Sequence, residues 1–162
     1  MRDLSHTVID ADLLDGVSKE ISGCLAAASF AEALDDSGAE LLEDVWVDLT
    51  ASRSASSRQF TLRGTIRTTV QLECALCLEP FQRQVALDLN RCFVIGADPA
   101  NQSSEVQMTL DVVFVANGRL ALLPVIEEEL ILDLPMVPYC RTECAGLCPG
   151  CGSNLNVESC SC

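Results

Sequence analysis

The chain has 162 residues, 49% of them hydrophobic, enough for one ordinary core and pointing to a single domain or a domain with a small appendage. Acidic residues outnumber basic ones 24 to 10, and the formal charge of -14 argues against a protein that wraps nucleic acid through bulk charge. No apolar run is long enough to span a bilayer and the first residues lack a basic region followed by an apolar stretch, so a soluble cytoplasmic protein is expected.

Residues 7–14 are expected to form a short strand followed by a turn. Residues 21–34 are alanine-rich and helix-compatible, with Asp35-Asp36-Ser37-Gly38 as the stop. From Ala39 the period changes to two: Val45, Val47 and Leu49 alternate with Asp44, Trp46 and Asp48, the pattern of a half-buried strand. Residues 52–57 read as a polar linker or hairpin loop. Phe60, Leu62, Ile66, Val70 and Leu72 then share one parity, while Thr61, Arg63, Thr65, Arg67, Thr69 and Gln71 hold the other. Gly64 falls on the apolar parity, marking a bulge or a close approach of backbones. Alternation resumes with Phe81, Val85, Leu87 and Leu89, so the two segments predict an antiparallel hairpin with Cys74-Ala75-Leu76-Cys77 at its tip.

Residues 96–104 read as a polar loop, and Val106, Met108, Leu110, Val112 and Phe114 as a further strand closed by Asn117-Gly118. In residues 120–134, Leu123, Ile126, Leu130 and Leu134 fit one face of a helix. Pro124 suits its first turn, Glu127, Glu128 and Glu129 are placed to favour its dipole, and Pro135 and Pro138 end it. Everything after Tyr139 is short and poor in apolar residues, and needs a cross-link to hold a shape. The expected fold class is α+β: a curved, mostly antiparallel sheet of about four to six strands, one main helix on it, and a C-terminal cysteine-rich zinc tail. The division is 1–138 for the sheet body, with its C-x-x-C hairpin, and 139–162 for the tail docked on it.

Ten cysteines dominate the chemistry. Without an export signal the thiols are expected to stay reduced, which favours metal over disulfides. Zinc takes four thiolate or imidazole ligands in a tetrahedron, and a two-residue spacer lets a tight turn aim two sulfurs at one ion. The sequence offers Cys74 and Cys77, Cys140 and Cys144, Cys148 and Cys151, and Cys160 and Cys162. These eight make two sites of four, hence two structural zinc ions. One pairing joins Cys74 and Cys77 to Cys140 and Cys144, leaving Cys148, Cys151, Cys160 and Cys162 as a local tail site. The rival pairing sets Cys140 and Cys144 with Cys148 and Cys151, and both remain open at this point. Pro149, Gly150 and Gly152 suit the tail turn. Cys24 and Cys92 have no partner at ligand spacing and read as small buried hydrophobes. The single histidine, His6, leaves serine–histidine or cysteine–histidine catalysis without material, and no enzyme is expected.

Six of the ten basic residues, Arg53, Arg58, Arg63, Arg67, Arg83 and Arg91, fall in one segment against Glu73, Glu79 and Asp88, a local balance of +3. Arg63 and Arg67 lie on the outward parity with Thr61, Thr65 and Thr69, a face able to contact RNA phosphates. It carries no interleaved aromatics for base stacking. Two four-thiolate zinc sites would take the chain's formal -14 to about -18, and the acidic remainder of the surface suits a basic protein partner.

With these segments in place, the chain resembles the YceD family of large ribosomal RNA subunit accumulation proteins. The likeness rests on Val70-Gln71-Leu72-Glu73-Cys74-Ala75-Leu76-Cys77-Leu78-Glu79-Pro80-Phe81, on Leu130-Ile131-Leu132-Asp133-Leu134-Pro135, and on the run from Cys140 to Gly152 with its Cys160 and Cys162 ending. The resemblance implies a ribosome assembly factor without established catalysis, needed for large-subunit (23S-type) ribosomal RNA to accumulate. Its partner would be precursor ribosomal RNA or a basic large-subunit ribosomal protein, with no membrane and no small-molecule substrate. It carries over Cys74, Cys77, Cys140 and Cys144 as one metal cluster and Cys148, Cys151, Cys160 and Cys162 as another. Leu76 stands where the family usually has a basic residue, which weakens phosphate contact at the hairpin tip. The alternative is a thiol redox or metal-handling protein in which Cys148 and Cys151 cycle.

Overall fold

The computed structural model describes residues 2–96 and 112–162. Eight strands are described: β1 (Val8–Asp10), β2 (Ser18–Leu25), β3 (Glu40–Leu41), β4 (Val45–Arg53), β5 (Gln59–Glu73), β6 (Pro80–Ile95), β7 (Val112–Val115) and β8 (Arg119–Ala121). Two α-helices accompany them, α1 (Ala31–Leu34) and α2 (Leu122–Asp133), which makes the fold α+β. The main sheet runs β2-β4-β5-β6-β7, with β3 also paired to β5. Every pairing in it is antiparallel except β6 with β7, which is parallel. β1 and β8 form a separate antiparallel pair.

The period-two pattern sorts the sheet into two faces. Val45, Val47, Leu49 and Ala51 of β4, Phe60, Leu62, Ile66, Val70 and Leu72 of β5, and Val85, Leu89 and Phe93 of β6 are all buried on the inner face. Phe60 and Phe93 stack across the register at 5.1 Å between centroids. Leu122, Val125, Ile126 and Leu130 of α2 close this core, together with Phe30 and Leu34. The β5–β6 hairpin pairs without interruption from Gln59 opposite Val94 to Glu73 opposite Pro80. It therefore projects Cys74 and Cys77 at one end of a long, rigid ribbon.

Two expectations are corrected. Residues 21–34 are not one helix: Ile21 to Leu25 belong to β2, which pairs with β4 from Ser18 opposite Ser52 to Leu25 opposite Val45. A 3-10 turn (Ala27–Phe30) and the four-residue α1 follow. Alanine's helix preference is worth only tenths of a kcal/mol per residue, and ladder pairing with a buried Ile21 and Leu25 outweighs it. Glu127, Glu128 and Glu129 do not lie in the first turn of α2, which starts at Leu122 and has no acidic residue there. Glu128 and Glu129 meet Arg91 of β6 instead.

Gly64 makes a close approach, not a bulge: its φ is +150°, and a Cβ there would sit 2.0 Å from the Asp48 carbonyl oxygen. Most of the loop expected at 96–104 and of the strand expected at 106–114 lies outside the described residues; its final part is β7. Among the described residues, no helix is long and apolar enough to cross a membrane.

Candidate metal centre

The hairpin tip and the tail build the same turn twice. In the first, Cys74 N–H donates to the Glu79 carbonyl at 3.0 Å and Leu78 N–H to the Cys74 carbonyl at 2.9 Å. In the second, Cys148 N–H donates to the Ser153 carbonyl and Gly152 N–H to the Cys148 carbonyl, both at 2.8 Å. In both, the residue after the second cysteine takes a left-handed conformation, φ 60° at Leu78 and φ 77° at Gly152. Glycine adopts it freely, whereas leucine there costs roughly 1–2 kcal/mol. No internal repeat was legible in the sequence, because only the C-x-x-C spacing is shared.

The tail is tied to the tip by backbone. Ala75 N–H donates to the Pro138 carbonyl at 2.8 Å, and Leu147 N–H donates to the Leu76 carbonyl at 3.0 Å. These bonds bring Cys140 and Cys144 to Cys74 and Cys77. The eight cysteines fall into two groups, Cys74 with Cys77, Cys140 and Cys144, and Cys148 with Cys151, Cys160 and Cys162. Within each group all sulfurs lie within 4.8 Å of one another, so each could hold a metal ion. The grouping is the first of the two pairings open from sequence.

The first donor set has the edge lengths of a tetrahedral ion, and the tail set is the same four-thiol chemistry drawn tighter. Metal–sulfur bonds of about 2.3 Å give tetrahedral sulfur–sulfur edges of about 3.8 Å. Cys74 and Cys144 are separated by 3.8 Å, as are Cys77 and Cys140. In the tail group Cys160 lies 3.2, 3.4 and 3.1 Å from Cys148, Cys151 and Cys162. None of these is a disulfide, which requires about 2.05 Å. Cys74 and Cys77 are buried, whereas Cys151 and Cys162 are exposed, so the tail group is the more accessible. Cys24 is buried as expected, on a parity covered by the N-terminal segment through Arg2, and Cys92 is half-buried.

Proton affinities within each group diverge. Burial pushes the Cys74 thiol up, but backbone N–H groups of Cys140, Cys77 and Leu76 outweigh it and hold the thiol at about 6. Burial, then the Cys144 and Cys74 thiols, pushes Cys140 to about 12. In the tail, Ser153 brings Cys151 to about 6, while Cys160 and Cys151 push Cys162 to about 11. Four adjacent sulfurs cannot all shed their protons without a cation between them.

Asn156 escaped the sequence reading because it sits at no ligand spacing. Its Nδ2 donates to Cys144 Sγ at 3.3 Å and to Asn154 Oδ1 at 2.8 Å. Its Oδ1 accepts from Ala145 N–H at 2.9 Å and from Arg141. A residue in the tail loop thus supports a sulfur of the first group, the kind of contact that orients a metal ligand.

The arginines divide by strand parity. Arg83 and Arg91 share the inner parity of β6: Arg83 pairs with Asp133 at 2.8 Å, and Arg91 with Glu128 at 3.2 Å and with Glu129. Arg53 bonds Asp12 and the Ala11 and Ser57 carbonyls, and Arg58 the Ile95 carbonyl. Arg63 and Arg67 face outward, with Arg63 Nε donating to Asn90 Oδ1 at 2.9 Å. The expectation of no aromatic on this face fails: Trp46 of β4, 46% exposed, lies directly across from Arg67, and shallow hollows flank the pair. Between the two arginines runs an acidic row, Asp48 and Asp88 on either side of Thr65.

Comparisons with known proteins give several relatives and one family. An uncharacterized protein of Mycobacterium leprae is 29% identical over 124 residues, covering 75% of this chain and 56% of the relative. An uncharacterized protein of Mycobacterium tuberculosis is 32% identical over 112 residues, covering 69% and 53%. The large ribosomal RNA subunit accumulation protein YceD of Haemophilus influenzae is 29% identical over 117 residues, covering 72% and 66%. The chain spans little more than half the length of the mycobacterial relatives. No solved structure matches. The family model described as large ribosomal RNA subunit accumulation protein YceD matches residues 62–162, the stretch that holds most of β5, all of β6 and α2 and all eight clustered cysteines, and the chain belongs to that family.

Proposed function

We propose that the chain serves the accumulation of large-subunit ribosomal RNA in the cytoplasm as a non-enzymatic assembly factor stapled by two structural zinc ions. Cys74, Cys77, Cys140 and Cys144 hold the first ion, which clamps the tail (139–162) onto the sheet body (1–138). Cys148, Cys151, Cys160 and Cys162 hold the second. The observation that carries the reading is that the family match over 62–162 contains both four-sulfur groups. A thiol redox role is less favoured, because a reactive C-x-x-C belongs at a helix N-terminus and both pairs here lie in turns outside helices. The test is depletion of the protein in its own host, with large- and small-subunit ribosomal RNA measured together. A selective fall in the large-subunit RNA, with two zinc ions per purified chain, supports the reading. Normal RNA, or freely alkylatable thiols with little metal, refutes it.

A second reading, direct RNA contact through Arg63 and Arg67, gains Trp46 as a surface for base stacking. It loses charge to Asp48 and Asp88. Trp46 is the only tryptophan, so its emission reports on this face alone. Single-stranded RNA should quench that emission in the wild type and not in the Arg63→Glu, Arg67→Glu double variant. Equal responses from the two proteins would end the RNA reading.

A further inference from the structure

Six of the fourteen large apolar side chains that the described residues leave exposed belong to the hairpin tip and to the segment that runs from the end of α2 to the first cysteine group. Leu76 and Leu78 stand on the hairpin tip, 43% and 55% exposed. Leu132 lies in the last turn of α2, and Met136, Val137 and Tyr139 follow the helix, with Met136 fully exposed. The Ala75–Pro138 bond sets Val137 and Tyr139 beside the tip, and the Arg83–Asp133 pair ties the end of α2 to β6. Exposed apolar side chains concentrated on two tethered segments are uncommon on a protein without a partner.

Leu78 adds an independent observation. Its backbone is left-handed, in the position that the twin turn fills with Gly152. The fold would accept glycine there more readily, yet the chain keeps a bulky apolar side chain and points it into solvent. Strain at a residue left more than half exposed points to a task outside the fold.

Charge says what the partner is. Glu73 and Glu79 flank the hairpin tip in sequence, and Glu143 lies between Cys140 and Cys144. Arg83 and Asp133 cancel as an ion pair, and among the described residues Arg141, bonded to the neutral Asn156, is the one cation left against the glutamates. Each four-thiolate zinc site would add about two negative charges. A second copy of the chain would bring the same acidic rim, and an anionic membrane or RNA would be repelled likewise. We infer that this end is a docking surface for a basic protein segment carrying an apolar anchor, with Leu78 and Tyr139 as the central contacts. The inference rests on the assembly reading only for the partner's being a large-subunit protein.

The experiment places a benzophenone photocrosslinker at Tyr139 in the full, metal-loaded chain. Two probes are used separately: RNA-free proteins released by lithium chloride from purified large subunits, and deproteinised large-subunit RNA. The expected result is crosslinking to one or a few identified basic proteins, suppressed by high salt. Leu78→Gly should lower the yield by about tenfold or more, the worth of one buried leucine, without lowering the thermal midpoint. Met136→Asp, at a fully exposed site, gives a second variant with the same expectation. Crosslinks to RNA, crosslinks between two copies, no crosslink, or a yield unchanged in both variants would each overturn the docking surface. Loss of the docking surface with large-subunit RNA still falling on depletion leaves the assembly reading standing. A salt-sensitive crosslink with normal RNA levels overturns the assembly reading alone.

Discussion

Asn156→Ala tests whether the first cysteine group is a metal site with organised support. The side chain makes a donor bond to Cys144 Sγ at 3.3 Å and accepts from Ala145 N–H at 2.9 Å and from Arg141. Ala145 and Arg141 are exposed, so water replaces most of what they lose. Cys144 is half-buried, and a donor bond to its thiolate is worth about 1.5–3 kcal/mol. The expected consequence is metal binding at the first site weakened by about 10- to 100-fold. The assay is competition of zinc against a chromogenic chelator in a Cys151→Ser, Cys162→Ser background, which leaves the first site isolated. Asn156→Asp discriminates between roles: it keeps both accepted bonds, loses the donor, and sets a charge beside the thiolates. It should bind at least as weakly as Asn156→Ala. Rescue by Asp, or an Asn156→Ala affinity within about twofold of its parent, would refute a role at the metal.

Removing residues 139–162 takes two sulfurs from the first group and the whole second group. The sheet core should persist while hydrogen-exchange protection at residues 74–79 is lost; full protection there with a native-like midpoint would contradict the clamp. Gly64→Ala should destabilise by about 2 kcal/mol or more, since it places a Cβ against the Asp48 carbonyl at a φ that favours glycine. A neutral thermal melt would show that β4 and β5 are less closely apposed. Because Cys140 at about 12 and Cys162 at about 11 still hold protons at neutral pH, each entering ion must displace at least one proton. Zinc affinity should rise with pH and fall at least about tenfold per unit on acidification below neutrality, so metal-linked stability is present at higher pH and lost as pH falls. A dissociation constant that does not change between pH 6 and pH 8, measured by competition, would refute this.

Period-two alternation made β4, β5 and β6 legible, because a half-buried strand writes its two faces directly into the order of residues. The C-x-x-C pairs made a sulfur site legible for the same local reason: two residues of spacer suffice to bring two sulfurs together. Which pairs share a site is set by contacts across the chain. Cys74 meets Cys144 only because a bond from Ala75 to Pro138 seats the tail on the tip, 70 residues away in sequence. Arg83 and Arg91 entered only the local balance of charge until the parity of β6 turned them toward the acidic side chains of α2. Trp46 and Arg67 looked unrelated until the β4–β5 register set them side by side. Ile21 to Leu25 looked helical because their ladder partner, β4, lies about two dozen residues on. The sequence by itself determined the elements whose signal lies within one turn or one strand. The tertiary structure alone decided which sulfurs, arginines and aromatics became neighbours, because those distances depend on register and docking.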